Sequence, residues 1–407
     1  MASSASNLIP ALVAARRLPA RDFGAFAVVF NFTLASLIVA RAASSEGLLF
    51  VHDSRAHRSY EIGAARVATI AGIAGALCAA ALALATAGIL RATFLAAAVT
   101  APIVVLQDHA RYRYFARKRP DLALGADLAW VLALALIVFG PWRPRVTTGP
   151  SLMLMWGVAA AAGAVPLLGD LRGRYPGVAR QFLEEARHNL VQFPVETLII
   201  VGATSGALAA IAFVAGLEAT GDVEALRLVF GPFAILSQSA FAAAQVSFAQ
   251  RADERVMRHW LRRATRFGLT GAAAWVALLV LPLGLLPLVG ADRASALRWL
   301  VPVYAAYIVG DLLSAVPRAW LRATNDRHHS VMERVMRGAL LITGPTIGGS
   351  IGGVNGAVAG LGVAGVVPTA YLYVIVRNGP RNVVRDLELI EESREIVGVA
   401  VRSAFGG

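Results

Sequence analysis

Cysteine is almost absent from this chain of 407 residues, which contains only Cys78. A single cysteine excludes an intramolecular disulfide, a CxxC redox pair and a zinc site built from several thiolates. Charge is also scarce, because charged residues make up 15% of the chain and hydrophobic residues 57%. With a mean hydropathy of +0.64, the chain has too few polar residues to cover one soluble core. The composition therefore predicts a membrane protein.

The patterns of known catalytic sites are missing as well. The seven histidines lie in polar segments or at their edges, and none is paired with a carboxylate at metal-site spacing. No GxSxG, Ser/Lys or paired-carboxylate pattern occurs. The segments with few cations are mostly shorter than about a dozen residues, whereas a membrane enzyme that joins glycans usually carries a long outer loop. We therefore predict no enzymatic activity, no cofactor and no metal.

A glycine pattern near the C-terminus has two interpretations. Gly360, Gly362 and Gly365 match the GxGxxG of dinucleotide-binding folds, but that motif needs a preceding strand and a βαβ unit, which this apolar sequence does not predict. Glycine also recurs at every fourth residue from Gly344 to Gly360. This small-xxx-small spacing predicts close packing of two helix backbones instead.

Apolar stretches alternate with polar segments along the chain. Most approach the roughly 20 residues that cross a ~30 Å hydrocarbon core as a helix. The predicted spans are 5–18, 24–42, 62–89, 91–107, 122–140, 151–169, 191–216, 225–248, 267–290, 298–316, 331–349 and 353–376. The first has a continuous apolar run only over residues 8–15, which is short for a crossing.

Cations concentrate in every second polar segment, which together hold most of the 38 Lys and Arg residues. By the positive-inside rule, this distribution predicts a multi-pass protein of the cytoplasmic (plasma) membrane with both termini in the cytoplasm. The net charge of +13 would suggest nucleic acid in a soluble chain. Here the cations flank spans on one face, so we predict contact with anionic membrane lipids and no nucleic-acid partner.

Residues near the start of the second span recur in the second half of the chain. Asp22, Ala25, Val29 and Phe30 correspond to Asp222, Ala225, Val229 and Phe230. An even number of spans separates the copies, so both halves have the same orientation in the membrane. The predicted fold is all-α, with about twelve transmembrane helices in two parallel six-helix lobes. The predicted boundaries are 1–171 (N-terminal lobe), 172–190 (amphipathic cytoplasmic linker), 191–376 (C-terminal lobe) and 377–407 (cytoplasmic amphipathic tail).

Polar side chains inside the spans are the candidate site residues. A charge at mid-bilayer costs roughly 2.5 to 3.5 kcal/mol, so such residues usually face a cavity or a partner. The candidates are Asn31, Arg41, Asp127, Gln192, Glu196, Gln238, Gln245 and Asp311. Glu196 and Asp311 are the only acids placed well inside C-terminal spans, which makes them the ion-coupling candidates. The alternative is that Arg41, Asp127, Gln192 and Glu196 lie near the cytoplasmic face and extend their polar ends to it.

Arg16 and Arg17 lie on the outer side, where most segments avoid positive charge. Arginine binds phosphate oxygens through paired N–H groups and stays charged, so this pair is a candidate phosphate anchor at the mouth of a cavity. The alternative is an ordinary flanking pair.

The stretch AARRLPARDFGAFAVVF, residues 14–30, resembles the corner between the first two helices of polysaccharide exporters and Wzx-type flippases in the multidrug/oligosaccharidyl-lipid/polysaccharide superfamily. The matching residues are Arg17, Leu18, Pro19, Asp22, Phe23 and Gly24. Residues 106–120 and 127–130 also resemble segments after the fourth helix of that family. The resemblance implies a V-shaped cavity between two lobes and the outward movement of a polyprenyl-phosphate-linked or similarly anionic glycan precursor. Arg17 is the one site residue that it carries over.

Three functions are consistent with these features. The first is a flippase or exporter of lipid-linked oligosaccharide or polysaccharide precursor, in which Arg17 and Arg41 attract phosphate while Asn31, Gln238 and Gln245 bind sugar hydroxyls. The second is a cation-coupled multidrug antiporter, in which Glu196 or Asp311 titrates. The third is a scaffold without transport activity that holds glycosyltransferases through its basic face and C-terminal helix.

Overall fold

The structure is a computed structural model, and it describes 2–45, 48, 57–140, 148–165, 182, 198–199, 201–250, 254–280, 287, 291–324 and 326–378. Almost all of the predicted linker and tail lies outside these ranges, as do Gln192 and Glu196. The side chains of Gln238 and Gln245 lie outside the described set as well.

The described chain forms thirteen helices and no strand, which confirms the all-α prediction. In the first half they are α1 (Ala2–Arg17), α2 (Ala20–Ser44), α3 (His57–Leu84), α4 (Gly88–Ala116), α5 (Pro120–Phe139) and α6 (Gly149–Ala164). In the second half they are α7 (Val201–Val214), α8 (Gly216–Val229), α9 (Gly231–Gln250), α10 (Glu254–Val280), α11 (Ala291–Leu297), α12 (Leu300–Ala323) and α13 (Arg327–Asn378). Among the described residues, six helices are long and apolar enough to cross a membrane.

The helices follow the predicted spans in order, with differences at their boundaries. The eighth span is two helices, α8 and α9, which meet at Phe230, and α8 begins nine residues before the predicted start. α10 also begins before its predicted span, with a charged segment that starts at Glu254. The eleventh and twelfth spans are the two halves of α13, which is broken at Gly352 and Gly353.

The break in α13 folds the helix back on itself. Gly353 has φ +57° and ψ −138°, a conformation that only glycine adopts without strain. Gly356 then packs on Gly348, and a Cβ at Gly344 would lie 2.7 Å from the carbonyl oxygen of Gly360. These contacts agree with the predicted close packing of helix backbones.

Contacts divide the chain into two compact units. The first comprises 1–231, 276–304 and 337–361, and the second comprises 232–275, 305–336 and 362–407. The first unit thus contains the whole predicted N-terminal lobe together with parts of the predicted C-terminal lobe. The predicted lobe boundaries stay a prediction.

In the first unit, α4 packs against α2, α3, α5 and α6. Aromatic rings fill the space between α2, α5 and α6: the ring centroids of Phe30 and Trp156 are 5.1 Å apart, and those of Trp130 and Trp156 are 5.7 Å apart. The indole N–H of Trp130 donates to the carbonyl oxygen of Trp156 over 3.3 Å. Since both tryptophans are buried, this packing fixes α2 against the other helices.

In the second unit, the core lies where α9, α10, α12 and the end of α13 meet. It contains Phe248, Met257, Trp320 and Val376, and the rings of Phe248 and Trp320 pack edge to face with centroids 5.4 Å apart. A glycine again lies at a close helix contact. The hydroxyl of Thr369 on α13 donates a hydrogen bond of 2.7 Å to the carbonyl oxygen of Gly310 on α12.

Candidate functional site

Two glycines bring α2 and α8 into backbone contact within the first unit. A Cβ at Gly24 would overlap the backbone carbonyl of Leu217, and a Cβ at Gly221 would lie 2.9 Å from the carbonyl oxygen of Ala20. Small residues at such a crossing let helix backbones approach more closely than larger side chains allow. The crossing sets the distance between the polar residues that follow it on each helix.

A polar network joins α2, α7 and α8 two to three turns beyond this crossing on α2. The amide of Asn31 donates to Glu224 over 3.2 Å, and Arg227 donates to the side-chain oxygen of Asn31. Arg227 also pairs with Glu224 at 3.5 Å. The hydroxyl of Ser205 reaches the backbone carbonyl of Asn31 at 3.4 Å. We call Asn31, Ser205, Glu224 and Arg227 the Asn31 network.

Burial makes the Asn31 network energetically sensitive. Asn31 is 4% exposed and Glu224 is 5% exposed, whereas the side chain of Arg227 is 39% exposed. A buried carboxylate is tolerated only with a partner or a bound proton, because removing a charge from water costs on the order of several kcal/mol. The network therefore holds α2 to α8 through the charge of Glu224, whose partners Asn31 and Arg227 lie on these two helices.

Two further charged clusters lie near the ends of α2 and α4 that are farthest from the crossing. Asp108 accepts two hydrogen bonds from Arg41, at 2.7 and 2.9 Å, and pairs with Arg111 at 2.7 Å. Both guanidinium groups lie 5.2 Å from the centroid of the Tyr112 ring. We call these four residues the Asp108 cluster.

The second of these, the Glu61 cluster, consists of Glu61, Arg113 and Arg117. Glu61 is buried and accepts hydrogen bonds from Arg113 at 3.1 Å and from Arg117 at 2.7 Å. Arg117 follows the end of α4, and its hydrogen bond to Glu61 raises the pKa of its guanidinium above the ordinary value. Each carboxylate thus serves two guanidinium groups, so each cluster keeps an excess of positive charge.

Asp311 belongs to a separate polar group in the second unit. Its carboxylate accepts a hydrogen bond from Ser237 over 2.9 Å and pairs with Arg318 at 2.9 Å. The side chains of Arg318 and Asp311 are 24% and 32% exposed, respectively. A cation that binds at Asp311 therefore competes with an arginine already in contact.

The predicted site residues do not form one site. Arg17 is half-buried at the end of α1, and Arg41 lies ten residues beyond Asn31, about 15 Å farther along the axis of α2. Asp127 contacts Gln107 at 3.4 Å, away from the Asn31 network. Of the predicted residues with described side chains, Asn31 alone joins that network.

Sequence reasoning missed Glu224 and Arg227. The eighth span was predicted to begin at 225, which placed Glu224 outside the membrane and assigned Arg227 to the outer flank. α8 begins at Gly216, so Glu224 and Arg227 lie inside this helix, and Glu224 joins the acids of the C-terminal helices. The sequence did contain a signal. Glu224 and Arg227 are three residues apart, a spacing that places them on one face of a helix, and Glu224 follows the recurring Asp222 by two positions.

Metal binding has no support in the described part of the chain. No group of three or more His, Cys, Asp or Glu side chains there is arranged to hold a metal ion.

Comparisons of the whole chain identify its fold. No family model matches the sequence, and neither does a curated protein. A solved structure titled as the inward-facing conformation of a multidrug resistance MATE family transporter of the MOP superfamily matches with a TM-score of 0.72 and 12% identity. That match covers 92% of this chain and 94% of the other.

Two further structures agree. The lipid II flippase MurJ in an inward closed conformation matches with a TM-score of 0.72 and 10% identity, over 95% of this chain and 88% of that one. A MATE structure in a bent conformation matches with a TM-score of 0.56 and 12% identity, over 92% and 91%. The chain therefore has the all-α fold of these solved structures. The six described helices that are long and apolar enough to cross a membrane agree with a multi-pass membrane protein.

Proposed function

We propose that the chain is a membrane transporter that moves a lipid-linked oligosaccharide or polysaccharide precursor across the membrane by alternating access. The observation that carries this proposal is the Asn31 network, which joins α2 in the first half of the chain to α7 and α8 in the second half. Supporting it are the fold of solved transporters, one of them a lipid II flippase, and the sequence resemblance of residues 14–30 to flippases.

Alternating access needs two states that differ in their contacts. A substrate shifts such an equilibrium only by the difference between its affinities for the two states. The Asn31 network suits this requirement, because the hydrogen bonds of Asn31 to Glu224 and Arg227 exist only while α2 and α8 are together. When the helices separate, water and substrate replace those bonds. At the glycine crossing beside the network, the backbones of α2 and α8 pack directly on each other, without side chains that interlock.

The charged clusters favour an anionic substrate. The Asp108 and Glu61 clusters each place two arginines around one carboxylate, so arginines outnumber carboxylates within these two clusters. Guanidinium groups bind pyrophosphate and phosphate oxygens in pairs. A surface for cationic drugs would instead carry an excess of acid.

A cation-coupled antiporter for small drugs is the second candidate, favoured by Glu224. A buried carboxylate that is held by an amide and one half-exposed arginine is a suitable group for binding a proton. Asp311, paired with Arg318, stays the other candidate. In this case a proton gradient drives drug efflux, and a Glu224→Gln variant loses the dependence on that gradient.

Translocation in proteoliposomes tests the proposal. A fluorescent polyprenyl-pyrophosphate oligosaccharide is incorporated, and its appearance on the opposite leaflet is followed with and without a proton or sodium gradient. We expect translocation that is absent from protein-free vesicles. Drug efflux without any movement of the lipid-linked glycan would support the antiporter instead. If folded protein moved neither substrate, the transport proposal would be wrong.

A further inference from the structure

A basic groove lies in the second unit, between the first half of α10 and the last turn of α13. Its volume is about 500 Å³. Three arginines line it: Arg258 and Arg262 from α10, and Arg377 from α13. The other side chains that matter here are Tyr373 at its wall and Met257 and Val376 at its base.

Among the described residues that line the groove, the charged side chains are all arginines. Arg258 and Arg262 are four residues apart, so they share one face of α10, and all three arginines are exposed. No acidic residue is among the described residues that line it. Guanidinium groups bind phosphate oxygens in pairs, which makes a phosphate group the matching anion.

The base of the groove is apolar and firmly packed. Met257 and Val376 are 2% and 3% exposed and belong to the core of the second unit with Phe248 and Trp320. Tyr373 is held by a contact of 3.1 Å between its hydroxyl and that of Thr265 on α10. The two helices that carry the arginines are therefore fixed against each other at this level.

Apolar surface continues from the groove along α13, where Val374 is 55% exposed. On α10, Phe267 is 71% exposed. Phe267 directly follows the last arginine of α10, where the sequence changes from a charged segment to the apolar run GLTGAAAWVALLV. This change, with arginines on one side and exposed hydrophobic residues on the other, is typical of the level where lipid headgroups meet hydrocarbon.

We propose that this groove binds an anionic phospholipid, with the phosphodiester between Arg258, Arg262 and Arg377 and an acyl chain over Val374. A free phosphate ion shares the headgroup chemistry but not the apolar contact. The proposal does not rest on transport, because it needs only the groove and the bilayer around it.

Native mass spectrometry of the full chain in detergent tests this site, with phosphatidylglycerol, phosphatidylcholine and inorganic phosphate as the probes. We expect phosphatidylglycerol to bind in preference to phosphatidylcholine. Replacing both arginines on α10 (Arg258→Gln/Arg262→Gln) should weaken the binding of phosphatidylglycerol roughly tenfold to thirtyfold, because each arginine contributes a similar share of the attraction to an anionic lipid. Arg377→Gln should weaken binding from the other helix.

The matched control is Arg263→Gln/Arg266→Gln, which removes the same charge from α10 but from exposed positions that do not line the groove. An equal loss in this control would overturn the site, because charge attraction without a defined groove would then explain the binding. Equal binding of phosphatidylcholine, or full competition by millimolar inorganic phosphate, would also overturn it.

The acidic segment DLELIEESRE, residues 386–395, offers a different occupant for the same arginines. A chain that ends at residue 380 separates the two. If phosphatidylglycerol binds the intact and shortened chains equally, the lipid proposal holds. If it binds only after residues 381–407 are removed, the groove belongs to the tail and the lipid proposal is wrong.

Discussion

Glu224 and Arg41 are both charged side chains on helices of the first unit, and their surroundings give them different roles. Glu224 has its partners on α2 and on its own helix, whereas Arg41 is bound to Asp108 on α4. The contact of Glu224 joins two halves of the chain, and the contact of Arg41 stays within the first six helices. We therefore expect substitutions at these residues to affect different properties.

Glu224→Gln removes the charge from the Asn31 network while keeping its size. Hydrogen bonds to charged groups contribute roughly 1.5 to 3 kcal/mol, so we expect the translocation rate to change by about tenfold or more. The purified variant should keep a normal elution profile. Asp121→Asn is the control, because its ion pair with Arg119 is exposed and solvent screens exposed pairs so strongly that they contribute little. Equal rates in both variants would remove Glu224 from the mechanism.

Arg41→Ala should lower stability. It leaves Asp108, whose side chain is 4% exposed, with Arg111 alone. Because Arg41 is itself 21% exposed, we expect a discounted loss of about 1 to 3 kcal/mol in the free energy of unfolding. Thermal unfolding in detergent measures this, and Arg41→Ala/Asp108→Asn should recover part of the loss.

The opposite result at Arg41 would be informative. If Arg41→Ala abolished translocation while leaving thermal unfolding unchanged, Arg41 would act on the substrate directly. That is the role that the sequence predicts for it, as a phosphate-attracting residue, and the described contacts leave this prediction open.

The sequence predicts the burial of a polar residue only where an apolar stretch surrounds that residue. Asn31 stands inside a long apolar run, so its burial against a partner was expected. Glu224 and Arg227 lie within the polar segment ATGDVEALR, residues 219–227, where hydropathy gives no reason to extend the predicted span. Tertiary contact with α2 buries them, and a single sequence does not reveal that contact.

At the scale of helices, glycine decides where backbones meet. α2 and α8 cross at Gly24 and Gly221, and α13 folds at Gly353. The spacing of glycines from 344 to 360 predicted the second of these contacts. It did not predict the first, because Gly24 and Gly221 are single glycines far apart in the chain and only the folded chain pairs them.

Gly24→Ala should disrupt the crossing of α2 and α8, because even one methyl group would overlap the backbone of Leu217. We expect lower thermal stability and slower translocation. Gly125→Ala on α5 is the matched control, since nothing lies within 4 Å of a Cβ there. Its helix should gain up to about 1 kcal/mol from the better helix propensity of alanine. Two variants of equal stability would contradict the close crossing.

Gly353→Ala tests the fold in α13. A residue with a side chain at φ +57° and ψ −138° costs roughly 1 to 3 kcal/mol, so we expect a lower unfolding temperature. Gly352→Ala is the control at the adjacent position, where φ is −129° and a Cβ meets nothing within 4 Å. The prediction fails if the two variants unfold at the same temperature.

At the scale of the whole molecule, the sequence was informative because the bilayer limits the choices. Backbone groups in lipid must form their hydrogen bonds within each segment, so apolar stretches predict helices directly. The number and order of the spans followed from that rule. The amphipathic start of α10 did not, because its charged face at residues 254–266 interrupts the hydropathy signal although the helix continues.

The substrate belongs to the same scale and is the part that sequence determines least. The excess of arginine in the Asp108 and Glu61 clusters favours an anion, but the glycan, the lipid carrier and the coupling ion depend on side chains that surround a cavity. The predicted orientation, with both termini in the cytoplasm, and the predicted partnership with glycosyltransferases likewise stay predictions.

Opening of the α2–α8 contact during transport is the central claim, and spin labels can report it without altering the Asn31 network. Arg21 and Glu218 are exposed at the start of α2 and α8, so the labels are placed by Arg21→Cys/Glu218→Cys in a Cys78→Ala background. Arg21→Cys/Arg91→Cys, within the first six helices, is the control pair. Double electron–electron resonance in proteoliposomes measures both distances.

We expect a short distance between the labels on α2 and α8 without substrate and a second, longer distance when lipid-linked oligosaccharide is transported, while the control distance stays constant. A single unchanged distance between α2 and α8 during active translocation would contradict the claim.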